Sequence, residues 1–229
     1  MKLLGEGLKQ ICAADKTAAC LIENRFEEIT EALQLYINEI ERFNAAYGLV
    51  KADDRDTLII KHILDSLAPL GHIANFLGME DKTEKTLADA GSGAGLPGIP
   101  LAICLSKMNV TLIERMGRRS GFLRNVCAVL VSAFPGPEFP RITVEEMELE
   151  KTLPGRFNCL VLRALSPLEN TFVAKLARLL DKGGIIAAYK GKQTIAQAEL
   201  NSLKGYTTEL IPLTVPFLNE ERCLAVIRP

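Results

Sequence analysis

The chain contains no tryptophan, only two histidines and six cysteines among its 229 residues. The absence of tryptophan carries no functional information. The cysteines are dispersed without a C-x-x-C pair, and most lie in apolar stretches, where reduced cysteine behaves as a small hydrophobic residue. This pattern favours neither a disulfide framework nor a zinc site, so we expect a reduced protein without a metal.

Long apolar runs and an excess of charge of one sign are also lacking. No run reaches the roughly 18–20 apolar residues that span a bilayer, and the N-terminus is too charged for a signal peptide. A net charge of −1 and a pI of about 6.2 are not typical of proteins that bind nucleic acid by bulk charge. We therefore expect a cytoplasmic protein without membrane contact, in which local basic clusters would have to make any nucleic-acid contacts.

The hydrophobic periodicity changes at about residue 84. Before this point apolar residues recur at helical spacing, most clearly over 23–47 and 54–70. After it, short apolar runs alternate with helical patterns, which predicts an α/β fold with a mostly parallel, doubly wound sheet. We expect an N-terminal helical extension over 1–84 that packs on a core domain over 85–229.

The core domain is predicted to contain seven strands and four helices. The strands cover 86–89, 109–113, 141–144, 157–162, 184–189, 206–214 and 222–227, the last two as an antiparallel hairpin at the sheet edge. The helices cover 97–107, 117–132, 167–181 and 193–203.

The most informative segment is the glycine turn over 87–98, in which Asp89 ends an apolar run and Gly91, Gly93 and Gly95 follow at alternate positions. Such a turn between a strand and a helix lets a ligand approach the backbone closely. Gly93, Gly95 and Gly98 also satisfy the dinucleotide pattern G-x-G-x-x-G, which would place a pyrophosphate here. Asp89 would repel a pyrophosphate, and it suits the ammonium and sulfonium groups of S-adenosylmethionine.

A second acid, Glu114, ends the next predicted strand about 20 residues after the glycines, the place where a carboxylate binds ribose hydroxyls. The alternative is a solvated carboxylate that pairs with Arg115 or Arg118. Because the glycine turn precedes it at this spacing, we favour the ribose role.

Charged residues follow every predicted parallel strand, at the sheet edge where α/β proteins bind ligands. They are Glu145 and Glu146 after the third strand, Arg163 after the fourth, and Lys190 and Lys192 after the fifth. The candidates for nucleic-acid contacts are Arg115, Arg118, Arg119, Arg124, Lys190 and Lys192, of which Arg118 is preferred because it opens the helix after Glu114. The alternative is a solvated helix face.

Several segments together resemble the bacterial small-subunit ribosomal RNA guanine-N7 methyltransferases, also called the glucose-inhibited division protein B family. The matching segments are Lys61-His-Ile-Leu-Asp-Ser-Leu67, Asp89-Ala-Gly-Ser-Gly-Ala-Gly-Leu-Pro-Gly-Ile-Pro-Leu101, Gly117-Arg-Arg119 with Phe122-Leu123, Val144-Glu-Glu146, Arg163-Ala164, Lys190-Gly191 and Glu221-Arg-Cys-Leu224.

The resemblance implies a class I methyltransferase fold over 85–229, S-adenosylmethionine as methyl donor and a guanine in the 530 loop of 16S rRNA as acceptor. It implies that Gly91, Leu96, Val144, Glu145 and Arg163 line the cofactor site. Arg163 would hold either the cofactor carboxylate or the target nucleotide. The implied partner is 16S rRNA or the 30S subunit, free or during assembly, and a monomer is expected.

The sequence departs from the family at three positions. The second asparagine and the threonine of a family motif are replaced by Gly48 and Val50, and Leu162 stands in place of a serine. These changes bear on the RNA side of the site.

Methylation of guanine N7 requires no general base, because this nitrogen carries a lone pair and no proton. We therefore expect no catalytic acid or base, and assign His62 and Asp65 to holding the N-terminal helices over the cleft. Two other functions stay open at this point: a nicotinamide-dependent oxidoreductase on the same fold, and a non-catalytic module that binds an adenosine ligand.

Overall fold

A computed structural model describes residues 2–78, 84–106, 108–136 and 139–229. The helices are α1 (Lys2–Ala14), α2 (Lys16–Ile22), α3 (Phe26–Tyr47), α4 (Arg55–Leu58), α5 (Asp65–Leu67), α6 (Leu70–Leu77), α7 (Gly98–Cys104), α8 (Gly117–Ala133), α9 (Asn170–Ala177) and α10 (Gln193–Ser202). The strands are β1 (Thr86–Ala90), β2 (Asn109–Ile113), β3 (Arg141–Glu145), β4 (Phe157–Arg163), β5 (Leu180–Lys190), β6 (Thr207–Leu213) and β7 (Arg222–Arg228). Short 3-10 turns cover Glu23–Arg25 and Leu149–Lys151.

The N-terminal helices follow from the apolar periodicity. Helix α3 buries Ile29, Leu33, Ile37 and Ile40 on one face, as the three-and-four spacing predicts. The predicted helix over 54–70 is present but irregular, because a stretch of π-helix over Ile59–Leu64 joins α4 to α5. Such insertions are frequent at functional sites.

The seven strands form one sheet in the order β3-β2-β1-β4-β5-β7-β6. Strands β1 to β5 are parallel, and β7 is antiparallel to both β5 and β6. This confirms the predicted fold class and the closing hairpin, with β7 inserted between β5 and β6. Because Cys223 pairs with Lys190, the start of β7 lies at the edge where the parallel strands end.

The boundaries agree within a few residues, with one larger difference at β5. The predicted helix over 167–181 is shorter, and β5 begins at Leu180, where it pairs with Phe157 before a register shift. The polar, glycine-containing segment 181–184 reads as a turn in sequence, so this first part of the strand carries no apolar signal. The predicted end of α7 at residue 107 lies outside the described residues.

The core consists of two apolar clusters, one on each face of the sheet. One joins the N-terminal helices to α7, α8 and the sheet, whereas the other packs α9 and α10 on the opposite face. The division into an extension over 1–84 and a domain over 85–229 stays a prediction. None of the helices in the described part of the chain is long and apolar enough to cross a membrane.

Candidate active site

A cleft of about 940 Å³ opens at the edge where β1 to β4 end. Its polar and charged lining comprises Glu114, Arg115, Arg118, Arg119, Glu148, Glu150 and Ser166, and its other lining residues are Tyr47, Gly91, Ile113, Met116, Met147, Leu149, Leu165 and Phe172. The cleft therefore combines apolar walls, which suit a flat ring, with three arginines and three acids.

The glycine turn forms one wall of this cleft. The backbone N–H groups of Gly91 and Ser92 donate hydrogen bonds to the Ile113 carbonyl, so the turn is fixed to the end of β2. Gly91 has a φ of 71°, and a Cβ atom there would lie 2.6 Å from Cδ1 of Leu165. Only glycine combines this left-handed backbone with such a close approach.

Replacing Gly91 by alanine should weaken S-adenosylmethionine binding by about tenfold or more, because the new methyl group forces Leu165 into the cleft and the left-handed backbone costs about 1–2 kcal/mol. Calorimetric titration and thermal unfolding measure the two effects. Gly121→Ala is the matched control: Gly121 lies in α8 with open space around it, so alanine should stabilise the fold by about 0.5–1 kcal/mol. Unchanged affinity in Gly91→Ala would contradict the role of the turn.

Glu114 lies at the end of β2, where it lines the cleft beside the glycine turn. Its Oε2 accepts a hydrogen bond from the Gly93 N–H at 2.9 Å, and its Oε1 accepts one from the Met116 N–H at 2.8 Å. An ionised carboxylate offers about four acceptor positions, so two stay available for ribose hydroxyls. The buried side chain is thus held in place by the backbone on both sides.

Asp89 lies inside the turn and does not line the cleft. It is fully buried, and its Oδ2 accepts a hydrogen bond from the Gly98 N–H at the start of α7 at 2.9 Å. Burial raises the pKa of Asp89 from 3.8 to about 7, although the Gly98 hydrogen bond and the nearby charge of Arg163 act in the other direction. Its Oδ1 has no hydrogen-bond partner among the described residues. The ionised form of this buried carboxyl, which predominates above pH 7, would favour a cationic ligand and therefore fits S-adenosylmethionine.

Two other residues of the turn, Leu96 and Gly95, pack closely against their neighbours, and their part in cofactor binding stays a prediction. Leu96 is buried, and Gly95 allows the close approach of Ile99. The hydroxyl of Tyr36 on α3 donates a hydrogen bond to the Ala94 carbonyl at 2.8 Å, so the N-terminal helices hold the turn from outside. The sequence showed Tyr36 only as part of an apolar face.

At the end of β3, the cofactor role of Val144 and Glu145 stays a prediction. Glu145 accepts two hydrogen bonds from Arg156, and neither Glu145 nor Val144 belongs to the cleft lining. The following residues, including Met147 and Leu149, line it instead. Met147, Met116 and Leu165 were missed by sequence reasoning because a single apolar residue in a loop carries no pattern. Phe172 was missed because it lies in the short helix α9, where it looks like an ordinary apolar helix residue.

Arg163, at the end of β4, is held by the N-terminal segment. Its guanidinium donates to Oδ2 of Asp65 at 3.1 Å and contacts Nδ1 of His62 at 3.2 Å. Because arginine can only donate, Nδ1 of His62 accepts, and its Nε2–H donates to the Lys51 carbonyl at 3.1 Å. Oδ1 of Asp65 accepts a hydrogen bond from Arg222 at 3.0 Å. One carboxylate therefore joins the extension, β4 and β7.

The candidate RNA contacts fall into two groups. Arg115, Arg118 and Arg119 line the cleft and form no ion pair with another described residue. Lys190, in contrast, is paired with Glu199 at 2.6 Å, and Lys192 is exposed before α10. Arg124 is paired with Glu146 at 2.8 Å. The structure thus brings Arg118 and Arg119 to the cofactor side of the sheet edge and leaves the lysines farther along it.

The strand order, the glycine turn after β1 and the acid after β2 define a class I methyltransferase that uses S-adenosylmethionine. Two solved structures support the fold. Magnesium protoporphyrin IX methyltransferase from Synechocystis, with bound S-adenosylmethionine, has a TM-score of 0.53 at 18% identity over 83% of this chain and 91% of that one. A putative S-adenosylmethionine-dependent methyltransferase from Methanococcus maripaludis has a TM-score of 0.52 at 16% identity, over 84% and 91%.

The family follows from sequence comparison. The family model GidB, described as rRNA small subunit methyltransferase G, matches residues 29–225. Ribosomal RNA small subunit methyltransferase G of Treponema pallidum is 35% identical over 98% of this chain and 92% of its own length. The protein of the same name from Treponema denticola is 32% identical over 98% and 93%. The chain belongs to this family.

Family membership confirms the resemblance that the motifs indicated. The protein is an S-adenosylmethionine-dependent methyltransferase of small-subunit ribosomal RNA. This assignment is supported over a nicotinamide-dependent oxidoreductase and over a non-catalytic module.

Proposed function

We propose that the protein transfers a methyl group from S-adenosylmethionine to N7 of a guanine in the 530 loop of 16S rRNA. The observation that carries the proposal is the two-sided cleft, in which Gly91 and Glu114 form an adenosine side and Arg118 and Arg119 form an adjoining basic side. Family membership supports the substrate class.

The cofactor, when bound, supplies a methyl group on a positively charged sulfur. Glu114 would accept hydrogen bonds from the ribose hydroxyls, and Met116, Met147 and Leu165 would offer apolar contacts to the adenine. When ionised, the buried carboxylate of Asp89 would favour positive charge through the turn without direct contact. Arg163, already oriented by Asp65, would bind the cofactor carboxylate or the target nucleotide.

The acceptor nitrogen, guanine N7, can react without help from an acidic or basic residue. Guanine N7 carries an in-plane lone pair and no proton, so no residue has to remove one. Rate acceleration then comes from holding the two reacting atoms about 3 Å apart and aligned. The side chains around the cleft consequently have binding and orienting roles.

The partner would be 16S rRNA or the 30S subunit, met in the cytoplasm, with the protein acting as a monomer. The test is transfer of labelled methyl to 30S subunits and to naked 16S rRNA, both from cells that lack this gene. We expect label as 7-methylguanine in the 530 loop. Label at another base or position would contradict the proposed target, and the better substrate of the two identifies the form that is recognised.

Arg118→Ala should raise the KM for RNA by about 3- to 10-fold and reduce the salt slope of log K by about 0.7–1, since one phosphate contact is lost. The affinity for S-adenosylmethionine should hardly change. Arg141→Ala is the matched control, because Arg141 is an exposed arginine at the opposite edge of the sheet, where β3 begins. Equal KM values for the two variants would exclude Arg118 as an RNA contact.

A further inference from the structure

The loop between β6 and β7, over 214–221, lies at the same sheet edge as the cleft. Leu213 pairs with Arg222, and Cys223 pairs with Lys190 at the carboxyl end of β5. Arg222, the first residue of β7, donates a hydrogen bond to Asp65, which also accepts one from Arg163 at the end of β4. The loop is therefore connected to Arg163, at the end of β4, through two ion pairs.

The loop is anchored on both sides of its tip. Val215 and Pro216 are buried, and the Leu218 N–H donates a hydrogen bond to the Val215 carbonyl at 3.1 Å. Glu220 pairs with Lys61 at 2.8 Å and with Arg222 at 3.0 Å. With both ends fixed in this way, the side chain at the tip is presented in a defined position.

That side chain is Phe217, which is 44% exposed. Its φ of 65° puts it in the left-handed region, which is strained for a bulky residue and readily adopted by glycine or asparagine. Neither burial nor the backbone explains a phenylalanine at this position. Strained backbone of this kind clusters at functional sites.

The charges around Phe217 nearly cancel. Lys61 and Arg222 pair with Glu220, and Arg222 shares Asp65 with Arg163. Lys192 is exposed beside Glu221, which accepts a hydrogen bond from the Gln193 N–H at 3.1 Å. The flat, uncharged face of a nucleobase suits the exposed ring of Phe217, because unstacked RNA bases bind to aromatic side chains irrespective of charge.

We propose that Phe217 is a platform on which an unpaired nucleobase of the substrate RNA stacks. This inference rests on the proposed function, because it requires an RNA acceptor at this edge. Phe217 would act in substrate positioning, apart from the cofactor side of the cleft.

Two substitutions at Phe217 test the proposal. Phe217→Asn tolerates the left-handed backbone and removes the ring, so it should keep the unfolding temperature and the affinity for S-adenosylmethionine. Its Kd for naked 16S rRNA should rise by about 5- to 100-fold, the loss typical of one base–aromatic stack. Leu153→Asn, which removes another exposed apolar side chain just before β4, should leave this Kd unchanged.

Phe217→Trp provides a direct readout, because the chain has no other tryptophan. This variant should bind RNA more tightly than Phe217→Asn, and its fluorescence should be quenched by 16S rRNA. A wild-type Kd in Phe217→Asn, or fluorescence insensitive to saturating RNA, would overturn the proposal. So would a defect seen with 30S subunits and absent with naked rRNA, which would indicate contact with a ribosomal protein. Methyl transfer by the wild type is measured in parallel. If the wild type methylates the RNA while the Phe217 variants show no effect, the stacking role is wrong and the proposed function stands.

Discussion

An Asp89→Asn variant should be more stable than the wild type by about 4 kcal/mol at pH 8 and by less than about 1 kcal/mol at pH 4. Burial raises the pKa of this acid from 3.8 to about 7, so the folded protein keeps a proton that the unfolded chain releases between these values. Over this range the wild type loses stability as the pH rises. Asparagine stays neutral in both states and removes the loss.

Urea denaturation of both proteins from pH 4 to pH 8 measures this difference, and the low-pH end serves as the internal control. At pH 8 the same variant should bind S-adenosylmethionine more weakly, because asparagine cannot supply the carboxylate that the wild type carries at this pH. A difference in stability that does not change with pH would show that Asp89 is not the titrating group. Unchanged cofactor affinity would contradict its electrostatic role.

Replacing Asp65 by alanine should lower the free energy of unfolding by about 3 kcal/mol. Asp65 is almost completely buried, and its two carboxylate oxygens accept hydrogen bonds from Arg163 and Arg222. Without this carboxylate both guanidinium groups lose their shared partner in a mostly buried setting. The expected loss is at the lower end for broken buried pairs, because each arginine side chain keeps about a fifth of its exposure.

Urea denaturation tests this prediction, with Asp56→Ala as control. Asp56 is an exposed acid in α4, part of the same helical segment, so its removal should change stability by less than about 0.5 kcal/mol. A double variant that also lacks Arg222 should lose less than the sum of the two single variants, because the two residues are coupled. Equal, small losses in Asp65→Ala and Asp56→Ala would contradict the proposed link between the extension, β4 and β7.

Most of the fold was predictable because its signals are local. The apolar runs at β1, β2 and β4 and the periodicity of α3 depend on residues close together in sequence, and each appears at its expected position. The early start of β5 was not predictable, since residues 181–184 are polar and join the strand only by pairing across the sheet.

The candidate site likewise contains residues that local sequence patterns predict and residues that only the fold brings together. Gly91 and Glu114 follow directly from the strand–turn–helix pattern, and both line the cleft. The motifs singled out Asp65, Arg163 and Arg222 separately, but nothing in the sequence showed that they contact one another, because they come from three elements far apart in the chain. Tyr47 is similar: it ends an ordinary amphipathic helix, and the fold alone brings it to the cleft.

The sequence by itself determined the class of sheet, the position of the cofactor turn and the family, since each is written in short, contiguous motifs. Only the tertiary structure decided which charged residues form ion pairs and which stay available to a ligand. Lys190 and Glu145 resemble free ligands in sequence, yet Glu199 and Arg156 pair with them, while Arg118 stays open to the cleft. The reason is physical: the pairing and burial of a charge depend on neighbours brought together by folding, and no local pattern records them.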